Sequence, residues 1–471
     1  TGMPVSAFSA KKRYVFSKFV ARHRLAVSAG AATLVLLTGA FAATGWAYFR
    51  AERAVVAEAA RFAEVRDLAG FMIFNLEERL SRTAGTAEAR VALVERAQNY
   101  LAALEKNRVA DPDLAEEAAR AYVELAYVRG VPGRPNLGDA EASRRDLGAA
   151  LALAARGDVP PAKSVPTSVM ARAGLAMIAM HHDNDMARAT AQIDRAGRDL
   201  SRLVDGDRSK RWSFARSELR RTQLDQALLS GDKAEMLRLA DQIEREADAL
   251  PESPRGTAFR ASVDRALAMQ YRGLAGYLSD DLDIAVDRLR RADTLFREAD
   301  TQRPGDPQLL YLLAYNGYYG HGAALGQPGH GKDSRYFLGV ARRTLDRLIA
   351  LEPNDSALRV FAAAVRQAYA QDLSKQGLFR AALSEQDRVI ADYIAALGED
   401  RKAKALNKLV AAYETLGIIA NEAGERDRSC AAHRMAVRHI ADLRRRKALL
   451  GSVEAMEPDI RAALRHCPAI R

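Results

Sequence analysis

From Leu25 to Phe49 the chain runs LAVSAGAATLVLLTGAFAATGWAYF, with no charged residue until Arg50. No other feature constrains the fold as much. These 25 residues as a helix rise about 1.5 Å each and reach roughly 37 Å, enough to cross a hydrocarbon core of about 30 Å with some tilt. Six Lys and Arg (Lys11, Lys12, Arg13, Lys18, Arg22, Arg24) and no Asp or Glu precede Arg50, the asymmetry that marks a cytoplasmic flank. Trp46 and Tyr48 sit at the far end, where amphipathic rings favour the headgroup level. The expected topology is a single-pass protein of the inner (cytoplasmic) membrane. Residues 1–24 are then a basic cytoplasmic segment, 25–49 the transmembrane helix, and everything from 50 onward extracytoplasmic or periplasmic. Arg22, Arg24, Trp46 and Tyr48 are the expected interface anchors. A cleaved signal peptide is the alternative, given the triplet Ala40-Phe41-Ala42, but its basic and apolar regions would both be unusually long.

The formal charge of +11 does not make this a nucleic-acid-binding chain. With six of its 71 basic residues ahead of Arg50, the remainder holds 65 basic against 60 acidic residues. That is an ordinary mixed surface, whereas phosphate binding requires positive charge concentrated on one face. The 48% hydrophobic content supports a sizeable core. Ala, Leu and Arg dominate, aromatics reach 7%, and two-residue alternation of β-branched residues is nearly absent. The fold class is all-α.

After the span a linker helix is expected over 50–85. On it Val55, Ala59, Phe62, Arg66, Ala69, Ile73, Leu76 and Leu80 recur in four- and three-residue steps, a seam suited to a two-stranded coiled coil or to packing on the next helix of the same chain. Residues 86–447 then fall into about seven helical pairs, the mark of a solenoid. The clearest is NKLVAAYETLGIIANEAGERDRSCAAHRMAVRHI, with Tyr413, Leu416, Gly417, Ala420, Gly424, Ser429 and Ala436 at tetratricopeptide-like positions. Small residues there let two helices approach, and Gly424 supplies the turn. Tyr369, Ala370, Gly377 and Ala382 repeat the plan, and weaker echoes run back to Tyr122 and Leu125. The segment GVPGRPNLGD, residues 130–139, interrupts the first pair, and residues 448–471 are expected to cap the array. One continuous array replaces the three domains that length alone would suggest.

Gly2-Met3-Pro4-Val5-Ser6-Ala7, then Lys18-Phe19-Val20 and Arg22-His23-Arg24 before the span, resemble the juxtamembrane junction of bacterial transmembrane serine/threonine protein kinases. With the repeat region the resemblance covers essentially the whole chain. It implies an N-terminal cytoplasmic kinase domain upstream of Thr1, an anchoring helix, and an external repeat array that senses a ligand. ATP and Mg would then belong to that upstream domain. No cofactor is expected in this chain, since it lacks the kinase Gly-rich loop, the Val-Ala-Ile-Lys strand, the His-Arg-Asp loop and Asp-Phe-Gly. No catalytic activity is expected of it.

Three local features invite a site. His181-His182-Asp183-Asn184-Asp185 has metal-ligand residue types, yet it falls where a capped turn should join two helices, and the turn is the preferred reading. Tyr318 to Asp333 is expected to be an inserted Gly-rich loop. Tyr318, Tyr319, His321, His330, Lys332 and Asp333 are its candidate ligand contacts, without a familiar zinc spacing. Cys430 and Cys467, the two cysteines, either bridge the last repeat to the terminal segment or remain two buried thiols. The expected function is a membrane-anchored binding or sensor array for a peptide, protein or envelope ligand, a homodimer where the linker seam pairs with a second copy and not with its own chain, or alternatively a stand-alone envelope scaffold.

Overall fold

The computed structural model describes residues 12–70, 92, 93, 96, 112–134, 136–202, 210–249, 255–351, 355–397 and 403–468. The chain divides into two units, residues 1–70 and 71–471. Among the described residues all regular structure is helical.

In the first unit α1 (Lys12–Arg22) leads through His23 into α2 (Arg24–Gly70). The stretch Arg24–Arg53 is long and apolar enough to cross a membrane, and none of its most apolar window is covered by protein. Thr33, Thr38 and Thr44 turn their hydroxyls onto the carbonyls of Ala29, Leu34 and Ala40. Those hydroxyls are thereby satisfied inside the helix, as a hydrocarbon surrounding requires. Trp46 is exposed and carries the Arg50 guanidinium 5.1 Å from its ring centre. Of the seam residues, Val55 to Ala69 lie on α2, while Ile73, Leu76 and Leu80 lie outside the described residues.

Among its described residues the second unit is an α-solenoid of seven antiparallel pairs. α3 (Pro112–Arg129) pairs with α4 (Ala140–Ala154), α5 (Pro161–Ile178) with α6 (Met186–Ser201), and α7 (Lys210–Ser230) with α8 (Lys233–Asp248). α9 (Arg255–Leu278) pairs with α10 (Leu282–Gln302), and α11 (Pro307–Ala324) with α12 (Gly331–Leu351). α13 (Ser356–Lys375) pairs with α14 (Phe379–Leu397), and α15 (Ala403–Glu422) with α16 (Arg426–Arg445). Two short helices, α17 (Gly451–Glu454) and α18 (Glu457–Leu464), close the end.

Four of the seven turns within pairs share one local rule. A residue with positive φ precedes an aspartate that caps the next helix: Gly138-Asp139, Asn184-Asp185, Gly231-Asp232 and Asp280-Asp281. Each aspartate accepts the backbone N–H three residues on, satisfying one of the donors that a helix start leaves open. Small residues then permit close crossings. A Cβ on Gly417 would lie 2.4 Å from the His433 ring, and one on Gly273 would lie 2.7 Å from Leu289. Phe296, Phe337 and Tyr393 are the large side chains buried between the layers.

Along most of the array each odd-numbered helix packs on the next odd-numbered one, while successive even helices of the pairs have no comparable packing among the described residues. The array therefore curves toward its odd helices, which form the inner face.

Candidate binding face

The structure corrects the expected loop. Tyr318, Tyr319 and His321 belong to α11, Lys332 and Asp333 to the first turn of α12, and only residues 325–330 connect the two. The glycines that suggested a loop are crossing residues of a packed helix. A Cβ on Gly317 would meet the Phe337 carbonyl and the Ala341 amide at 2.8 Å, and one on Gly320 would meet the Phe337 ring at 2.5 Å.

The six candidate contacts consequently do not converge. His321 is buried, its Nδ1 2.9 Å from the Ser334 hydroxyl. His330 lies at the turn, with Nδ1 2.8 Å from Asp333 and Nε2 3.0 Å from Asp283. Those two carboxylates, Asp333 foremost, raise the His330 pKa, while Arg290 holds the Asp333 carboxyl below its usual range. Lys332 is exposed. Tyr318 and Tyr319 instead join an aromatic wall on the inner face.

That wall is built on helical spacing. Tyr311, Tyr315, Tyr318 and Tyr319 stand on one side of α11, and Phe361 of α13 packs against three of them with ring centres 5.8 to 6.1 Å apart. Tyr315 and Tyr319 share a hydroxyl hydrogen bond of 3.2 Å, and Tyr277 of α9 meets Tyr319 edge-on. All four α11 tyrosines are only partly buried as residues. Burial keeps those phenols protonated by raising their pKa.

Polar groups of odd helices and of the turn after α5 flank the wall. At one end His181 Nε2 lies 2.6 Å from Asp225 Oδ2, and the Tyr271 hydroxyl donates to Asp225 Oδ1 at 3.4 Å. At the other, Gln367 of α13 donates to the Thr415 hydroxyl at 2.9 Å, and the Ser374 hydroxyl donates to Glu422 at 2.6 Å. The residues 179–185 form a π-helical turn and a cap, and among the described residues no group of three or more His, Cys, Asp or Glu could hold a metal ion.

Val131, Gly133, Arg134 and Asn136 also lie on this face. Val131 is fully buried, and a Cβ on Gly133 would come 2.9 Å from Met177 of α5. Arg134 stacks 4.2 Å from the centre of Tyr127 on α3 and donates from Nη2 to Glu218 Oε1 on α7 at 2.8 Å. The Asn136 amide donates to Asp355 Oδ2 at 2.8 Å, across 219 residues of sequence. Asp355 is the N-cap of α13 and uses Oδ1 for the amides of Ala357 and Leu358. Burial would raise the Glu218 carboxyl, but Arg134, Arg221 and Arg260 hold it below its usual range. Arg221 and Arg260 in turn face Asp264, and burial pulls the Arg260 guanidinium down to about 10.

Cys430 and Cys467 are joined in a disulfide, which ties α16 to the segment after α18. Beside it Arg426 donates to the His466 carbonyl and Arg434 to the Pro468 carbonyl.

Sequence reasoning singled out neither Glu218, Asp225, Tyr271 nor Asp355. The tyrosines at 311, 315, 318 and 319 carried a usable signal, one helical stripe of rings, which the neighbouring glycines masked.

No protein-family model and no curated protein matches the chain. Among solved structures it is similar to a Rap protein complexed with competence and sporulation factor, at a TM-score of 0.45 and 12% identity, over 85% of this chain and 99% of that one. Human IFIT1 in a dimer with m7Gppp-AAAA gives 0.38 and 14% over 74% of this chain and 68% of that one. The S. pombe nuclear import adaptor Nro1 gives 0.29 and 13% over 75% and 99%. At these identities the likeness concerns helical fold alone, and the α-solenoid assignment rests on the seven pairs themselves.

Proposed function

We propose that this chain is a membrane-anchored binding array that receives an extended polypeptide along the inner face of its odd helices. The observation that carries this reading is the aromatic wall of α9, α11 and α13 between the Asp225 and Thr415 ends. Partly buried tyrosines offer large, rigid contact area together with a phenol hydrogen bond, the combination that dominates binding energy at interfaces. The amide and carboxylate groups beside them suit the donors and acceptors of a peptide backbone.

Three features support an external location for the array. Basic residues precede the apolar stretch and aromatic residues end it, and the Cys430–Cys467 disulfide fits an oxidising compartment. In the finer reading the array is the sensor half of a receptor-type serine/threonine kinase, with ligand engagement outside altering kinase pairing inside. Coding sequence upstream of Thr1 tests that part: an in-frame kinase domain supports it, and an immediate start codon sinks it.

Binding itself is tested on the chain in bilayer nanodiscs by selecting from a displayed library of random decapeptides. The selected peptide should lose at least about tenfold in affinity on Tyr315→Ala or Phe361→Ala, in line with hot-spot truncations above 1.4 kcal/mol. Equal affinity in both variants would refute the assignment of this face.

A further inference from the structure

Residues 130–139 touch four helices far apart in sequence, α3, α5, α7 and α13, and all four are odd. A segment interrupting the first pair thus lies inside the curve and reaches the start of the sixth. Its contact at Asp355 caps α13, the helix that carries Phe361 of the aromatic wall. We infer that the stretch between the buried Val131 and the turn at Gly138 is an internal occupant of a peptide site, and that its external ligand is an extended, arginine-bearing polypeptide that displaces it. This inference rests on the polypeptide-binding reading given above.

The contacts made by this segment are those of a ligand. Arg134 stacks its guanidinium on the Tyr127 ring and donates to the Glu218 carboxylate, a charge pair reinforced by stacking. The Asn136 contact to Asp355 uses a backbone amide, which any residue of a bound chain except proline supplies. The sequence VPGRPNLG, rich in Pro and Gly, favours an extended or turning backbone with little entropy to lose.

The fit is also incomplete. Glu218 is 7% exposed, and among the described residues its Oε2 has no hydrogen-bond partner. The tethered Arg134 reaches Oε1 alone. A guanidinium on a free chain, not held by a short loop, can dock fork to fork on both oxygens, the stronger geometry. Arg221 and Arg260 keep the carboxylate charged to receive it.

The test uses the full chain in nanodiscs with residues 132–137 replaced by six Gly and Ser. That change keeps the buried Val131 and the Asp139 cap. The probe is a fluorescein-labelled peptide of sequence GVPGRPNLGD. The loop-replaced chain should bind it at least tenfold more tightly than the native chain, where the tethered segment competes at high effective concentration. Replacing the peptide's arginine by alanine, or Glu218→Gln in the protein, should weaken binding about thirtyfold or more, as loss of one partner of a buried charge pair does. A loop-replaced chain of native helix content that binds the library-selected peptide but not this probe overturns the inference and leaves the broader reading standing. One that binds neither overturns both. Binding indifferent to Glu218→Gln also overturns it. Should the replacement reduce helix content, Arg134→Ala carries the same test with the same outcomes.

Discussion

Gly320→Ala separates a packed helix crossing from an inserted loop. The added methyl would lie 2.5, 2.6 and 2.8 Å from three ring atoms of Phe337, a side chain with no exposed surface. Carbon atoms in contact sit about 3.5–4.0 Å apart, so the ring must move by about 1 Å in a close-packed layer. Overpacking of this kind costs about 1–3 kcal/mol, while Gly to Ala within a helix recovers about 1 kcal/mol. The clash outweighs the gain, and the net destabilisation is up to about 2 kcal/mol. Repeat arrays open in local segments, so the informative assay is native-state hydrogen exchange of the α11 and α12 amides. Exchange there should quicken about tenfold, since 1.4 kcal/mol is a factor of ten. Gly148→Ala on α4 is the control, because nothing lies within 4 Å of its added methyl. It should slow exchange in α4, in keeping with a gain of about 0.5–1 kcal/mol. If Gly320→Ala is neutral or protective like Gly148→Ala, the crossing assignment for α11 and α12 is wrong.

Cys467→Ser should destabilise α15 and α16 by about 3–4 kcal/mol, the chain-entropy value for a 37-residue separation, and the denatured, unreduced native chain should show no free thiol. Two free thiols by titration would contradict the bond. His330 should titrate above the ordinary histidine value of 6.5, because Asp333 and then Asp283 favour its charged form. Its contribution to stability is therefore full below that ordinary value and is lost as pH rises through the raised one. Histidine NMR checks this, and Asp333→Asn should lower the midpoint. A membrane-impermeant amine label applied to intact spheroplasts should modify Lys375 and Lys447 before lysis and Lys18 only afterwards, and the reverse order would overturn the proposed topology.

The helical pairs were legible because their cause is local. Positive-φ residues at the turns, followed in four of the seven by capping aspartates, and small residues at the spacing of Leu416-Gly417 and Ala420, shape the hairpins within about forty residues. The apolar run from Leu25 was legible for the same reason. Glycine 320 was misread because a glycine required by a loop and one required by a crossing look alike until the partner is known, and here the partner is Phe337. The binding face is harder still. Asn136 meets Asp355 only because small rotations between repeats accumulate over five units, and no local pattern encodes that sum. Arg134 and Glu218 are ordinary charged residues in the sequence, and burial on a shared face makes them a pair.

The central claim is that polypeptide binds along the inner face, and the hydrogen-exchange footprint of the library-selected peptide on the nanodisc-held chain tests it most directly. Bound peptide should slow exchange in α9, α11 and α13 while leaving α10, α12 and α14 unchanged. Protection confined to those even helices, or to the helix around Trp46, would contradict it.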